Sequence, residues 1–107
     1  MQTQRCCIVG CDAGEAAYAI RHEADVLREM CHPAEAEPLY LEAVGIYRQL
    51  DEKTTLDLAN TLRGLALVNE SAAKMDASKA LWQEARELYA KCNVEAGVAE
   101  CNQKVSQ

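Results

Sequence analysis

The chain has no phenylalanine, one tryptophan and four tyrosines, so aromatic residues make up 5% of its 107 positions. Sheets pack best with aromatic and β-branched side chains, and scarcity of both argues against a β architecture. Proline (two) and glycine (five) are too few to build a flexible or stiff linker, and there is no low-complexity tract or charge block. A membrane span needs about 20 consecutive apolar residues. The uninterrupted apolar stretches here are a few residues long, so no membrane association is expected. Basic residues are outnumbered 11 to 17, and the net charge is −6. Without a basic stripe to neutralise phosphates, nucleic acid is excluded as the main partner.

Catalytic patterns are missing too. The only histidines are His22 and His32, and neither shares a helical face with a cysteine at catalytic or zinc-binding spacing. No phosphate-cradling glycine loop occurs, and Gly10 and Gly14 are too sparse to form one. The sequence therefore reads as non-enzymatic, with no cofactor and no metal.

Six cysteines are present, irregularly spaced and without a C-x-x-C pair. The remaining residues suffice for a core, so a disulfide scaffold is not expected and the chain reads as cytoplasmic with reduced thiols. Three thiols, Cys6, Cys7 and Cys11, crowd the stretch CCIVGC. Ile8-Val9-Gly10-Cys11 has the form of a lipoprotein cleavage box. Only five residues, Cys6 to Gly10, are there to serve as its apolar core, and a signal needs roughly 7–15. A zinc site would need a fourth ligand, the nearest being His22. The expectation is a frayed lead-in over residues 1–11, with Ile8 and Val9 covering the flank of the first helix.

Half of the residues are hydrophobic, mostly alanine and leucine, and they repeat. Shifting the sequence by 42 positions aligns Ala17 with Ala59, Arg21 with Arg63, Ala24 with Ala66 and Val26 with Val68. Leu39, Glu42, Ala43 and Tyr47 then fall on Leu81, Glu84, Ala85 and Tyr89. These are eight identities over the 36 positions from Glu15 to Leu50, several times what chance gives. Each unit splits into two helices. Asp12 and Glu15 form a capping-box pattern for the first, which runs to about Met30 with Ala17, Ile20, Ala24, Leu27 and Cys31 on one stripe. His32-Pro33 breaks the chain, with His32 as a cap and Pro33 opening the next helix. That helix carries Ala36, Leu39, Tyr40, Ala43, Ile46, Tyr47 and Leu50, and includes Pro38. Thr54 or Thr55 caps a third helix, Asp76 a fourth and Asn93 a short fifth with Val94, Val98, Cys101 and Val105. Small residues at Ala24, Ala43, Ala66 and Ala85 face large ones at Tyr40 and Trp82, the alternation a helical solenoid requires.

On these residues the chain resembles the tetratricopeptide repeat family, in the longer 42-residue form of kinesin light chains and related bacterial proteins. AEAEPLYLEAVGIYRQL, Ala34 to Leu50, is similar to that repeat's second helix, and LANTLRGLALVNES, Leu58 to Ser71, to its first. The resemblance implies an all-α fold: two helical hairpins and a C-terminal capping helix in a right-handed superhelix. Residues 12–107 would form one domain, with repeats over about 15–50 and 57–92 and the cap over about 94–105. Leu27 and Asn69 stand where a tyrosine is usual, which puts a polar residue on an expected buried face.

The resemblance also implies a function. In this family the first helix of each repeat lines a concave face that holds partner peptides. Those positions here are Tyr18, Arg21, Asp25 and Arg28, then Asn60, Arg63, Leu67 and Glu70, with Asn102 from the cap. Arg21 and Arg63 would stand about 10 Å apart, the packing distance of adjacent helices, and could clamp a carboxylate. The competing reading pairs them internally, Arg21 with Asp25 and Arg63 with Glu70. The expected function is a protein or peptide interaction module. Two alternatives stay open: a homodimer formed through the solenoid ends, and a thiol-based metal or redox protein.

Overall fold

The computed structural model describes residues 13–50 and 54–106. They form five helices: α1 (Ala13–Glu29), α2 (Pro33–Arg48), α3 (Thr55–Ser71), α4 (Met75–Lys91) and α5 (Glu95–Val105). There is no strand among the described residues. The lead-in over residues 1–11, with Cys6, Cys7 and Cys11, and the capping residue Asp12 lie outside them.

Helices adjacent in sequence pack on one another, and α1 also reaches α3. The molecule measures 44 × 30 × 18 Å. Its smallest dimension is about two helix diameters, so the helices lie in two layers.

The turns inside the hairpins recur with the sequence period. Cys31 (φ 66°) and Ala73 (φ 62°), 42 positions apart, are both left-handed. After each, the chain closes the helix with a six-to-one bond: His32 N–H to the Leu27 carbonyl and Lys74 N–H to the Asn69 carbonyl, each at 2.8 Å. This is the glycine-type helix ending made without glycine, at a cost of about 1–2 kcal/mol for each such L residue.

Four details differ from the sequence reading. Cys31 is exposed in its turn and is not part of the α1 stripe. His32 and Thr54 occupy N-cap positions without making a side-chain cap bond. Asp76 lies inside α4, whose N-cap position is Lys74. Asn93 (φ 60°) ends α4 rather than starting α5, because asparagine tolerates the left-handed region better than most residues. Val94 N–H then bonds the Tyr89 carbonyl at 2.9 Å, so α5 turns back on α4 through the same three-residue turn as the two hairpins.

Alanines make the close approaches possible. Ala24, Ala36, Ala59, Ala66 and Ala85 are all fully buried, and Tyr40, Trp82 and Tyr89 fill the space between them. A second cluster of Ala17, Ile20, Ala43 and Tyr47 fills the first hairpin. Asn69, the polar residue on a buried face, is buried and donates from Nδ2 to the Leu65 carbonyl at 3.1 Å. Thr61 and Ser78, also buried, likewise donate to backbone carbonyls, of Asp57 and Ala66. Each of these three side chains thus finds an acceptor within reach, as low-dielectric surroundings demand.

The first and second hairpins come close together where Tyr40 of α2 rests on Gly64 of α3. A Cβ at Gly64 would lie 2.5 Å from Tyr40 Cε1. The same holds for Gly97 of α5, where a Cβ would lie 2.6 Å from Tyr89 Cγ. Gly64→Ala should therefore destabilise the chain by about 1–3 kcal/mol despite alanine's better helix propensity. Urea unfolding followed by circular dichroism measures this; an unchanged or raised midpoint would mean that the ring does not rest on this backbone.

Candidate functional site

The polar residues of α1 and α3 take their positions from the aromatic residues they serve. Tyr40 is fully buried but its hydroxyl reaches α1. There it donates to Asp25 Oδ1 in a short hydrogen bond and accepts from Arg28 Nε at 3.0 Å. Asp25 Oδ2 also accepts from Arg21 Nη1 at 3.1 Å, and Arg28 Nη2 lies 3.6 Å from Asp25 Oδ1. Burial, helped by the bond to Asp25, pushes the Tyr40 hydroxyl up to about 12.

Trp82 stands 42 positions after Tyr40, and its surroundings change accordingly. Indole N–H only donates, whereas a phenol both donates and accepts. At the position equivalent to Arg28 the second repeat has Glu70, and Trp82 Nε1 donates to Glu70 Oε2 at 2.7 Å. Glu70 Oε1 takes the Lys104 ammonium of α5 at 3.2 Å, and that ammonium lies 5.6 Å from the Trp82 ring centroid.

The next pair of aromatics shows the same dependence. Tyr89 donates to Asn60 Oδ1 at 2.6 Å. Its equivalent, Tyr47, has Tyr18 where Tyr89 has Asn60, so the carboxamide oxygen that Tyr89 uses is missing there. The Tyr47 hydroxyl is buried without a hydrogen-bond partner, as is Arg21 Nε. Burial and then the Asp57 carboxylate raise the Tyr47 hydroxyl, against the pull of Arg21. Burial pushes Tyr89 up to about 12.

Arg63 carries the charge pair that joins α3 to α5. Its Nε and Nη2 meet the two oxygens of Glu100 at 2.8 and 3.2 Å, a two-point fork. The bond to Glu100 raises the Arg63 guanidinium further. The expected Arg63–Glu70 pair does not form, because Glu70 is held by Trp82 and Lys104. The expected Arg21–Asp25 pair does form.

The remaining candidates are placed as follows. Tyr18 is 50% exposed, edge-on to His22 with ring centroids 4.3 Å apart and with the Arg21 guanidinium 5.4 Å from its centroid. Leu67 is half-buried and packs against the main core. Asn102 accepts from Arg86 Nη1 at 3.0 Å and lines an open groove between α4 and α5 with Ala90, Val94 and Val98. Arg21, Asp25, Arg63 and Tyr89 lie close enough to feel one another's charge. Glu100 and Lys104 escaped the sequence reading. Their one signal was their spacing of four on the face of α5 opposite its valines.

Among the described residues no cluster of three or more potential metal ligands occurs, and no helix is long and apolar enough to cross a membrane. Cys31, Cys92 and Cys101 are free thiols. Comparison of the chain with protein-family models, curated proteins and solved structures gave no match.

The raised hydroxyls and the Cys101 thiol make stability sensitive to alkali. Burial pushes Cys101 from 9.0 to about 11, and Tyr40 and Tyr89 from 10.0 to about 12. Between these limits the unfolded chain binds fewer protons than the folded one, so stability falls as pH rises. From these groups, the urea midpoint should hold up to about pH 9 and then fall steadily toward pH 12. A midpoint unchanged at pH 11 would contradict the burial assigned to them.

Proposed function

We propose that the chain is a non-catalytic interaction module of the tetratricopeptide repeat kind, working in the cytoplasm, which holds a carboxylate-bearing segment of a partner protein on the α1–α3 face. The observation that carries this reading is the Arg63 fork, already fitted by a carboxylate at 2.8 and 3.2 Å. Arg21 is the equivalent residue of the preceding repeat, and its Nη1 meets Asp25 at 3.1 Å. Two guanidiniums at equivalent positions of successive repeats, each already paired with a carboxylate, suit recognition of acidic side chains or a C-terminal carboxylate. The 42-residue period and the matching left-handed turns at Cys31 and Ala73 support the family likeness.

A second reading, self-association through the α1 end, is favoured by one contrast. Val68 is 2% exposed within the main core, whereas its repeat equivalent Val26 is 54% exposed. The mass in solution separates the two readings.

A fluorescein-labelled tetraglutamate peptide, with tetraglutamine as control, tests the first. Anisotropy titration at low salt should show binding of tetraglutamate only, weakened by added salt. The double variant Arg21→Gln/Arg63→Gln should lose affinity about tenfold or more. Equal binding by the control peptide, or by the double variant, would refute the reading.

A further inference from the structure

α5 is held differently from the other four helices. One of its side chains, Cys101, is fully buried, whereas α1 to α4 each bury at least four. Val94, Val98 and Val105 are only half-buried against the core. Gly97 lies against the Tyr89 ring, and the remaining ties are polar: Glu100 to Arg63, Lys104 to Glu70 and Asn102 to Arg86. Arg63 and Glu100 are 38% and 33% exposed, and Lys104 and Glu70 are 24% and 21% exposed. Water reaches all four side chains and can replace each bond. A short helix with little buried apolar surface and solvent-exposed ties opens well below the free energy of global unfolding.

What α5 covers gives that opening a consequence. Arg63 and Glu70 belong to the α3 face, and both are occupied by side chains of α5. When α5 leaves, the Arg63 fork loses its carboxylate while the α3–α4 hairpin keeps its own core of Leu62, Leu65, Ala66, Trp82 and Ala85. The Asn93 turn, which joins α5 to α4 by the Val94 N–H bond, is a defined point about which α5 can swing.

We propose that α5 is a displaceable latch, whose Glu100 carboxylate occupies the Arg63 fork in the place of a partner's acidic group and leaves it when α5 undocks. The identity of the displacing group rests on the function proposed above; the undocking of α5 does not.

Cys101 reports the latch. Docked, its thiol is fully buried and unreactive; undocked, it is exposed to an aromatic disulfide reagent. In the full chain with the other five cysteines replaced by serine, labelling under native conditions should be nearly independent of low urea concentrations. Glu100→Gln should accelerate it about tenfold, the effect of one charge-assisted bond, with the urea midpoint for global unfolding shifted by less than this factor implies. Lys104→Met should act in the same direction, and serves as the second variant should Glu100→Gln fold poorly. Trp82, the only tryptophan, offers a parallel signal because Lys104 and Glu70 both contact it. Labelling that follows the urea dependence of global unfolding, or variants that label at the parent rate, would overturn the latch. No peptide is present in this measurement, so its result is independent of whether tetraglutamate binds.

Discussion

Tyr40, Trp82 and Tyr89 are buried at the helix crossings while one atom of each still needs a hydrogen bond. The rest of the structure follows from that double demand. With no phenylalanine, every aromatic residue carries a polar end. Rings of this size dominate the burial available to so small a core. Tyr40 and Tyr89 therefore rest on the bare backbone at Gly64 and Gly97, where any side chain would collide with the ring. Their hydroxyls, and the Trp82 indole N–H, emerge at the edge of the core and select the residues they meet there. Asp25 and Arg28 serve a phenol, Glu70 serves an indole, and Asn60 serves Tyr89.

The charged face of α1 and α3 is thus partly scaffold. Asp25, Arg28, Asn60 and Glu70 are committed to aromatic partners, which removes them from direct contact with a ligand. Arg63 differs, since its opposite number, Glu100, is a carboxylate that serves no core aromatic, whereas the Asp25 carboxylate on Arg21 also serves Tyr40. A carboxylate can be exchanged for another carboxylate without opening the core. The exposed pairs elsewhere, Arg48 with Glu84 and Lys74 with Glu37, join α2 to the second hairpin and contribute little each.

The helical hairpins were legible in the sequence because the period of 42 is carried by buried alanines and by Tyr47 and Tyr89, which are both buried. Helix ends were less legible. Asn93 is a good cap and also a good left-handed residue, and only the three-residue turn back to α4 decides between them. Cys31 and Ala73 carried no turn signal, because the left-handed turn is imposed by packing on both sides rather than by the residue. Of the face itself, the sequence placed Arg21 with Asp25 but paired Arg63 with Glu70. Spacing within one helix suggested that pair; the indole of Trp82, twelve residues further on, took the carboxylate instead. Glu100 could not be placed from spacing, since its partner lies 37 residues earlier on a helix that α5 meets only through long side chains.

The most direct measurement of this account is a double-mutant cycle between Glu70→Ala and Trp82→Phe, read as unfolding free energy in urea. Loss of Lys104's partner is common to both arms and cancels. If the indole donor determines the carboxylate, the two changes should be coupled by about 1–2 kcal/mol, the range of a charge-assisted bond at a part-buried site. Additive effects would mean that the polar face and the aromatic core are independent, and the account would be wrong.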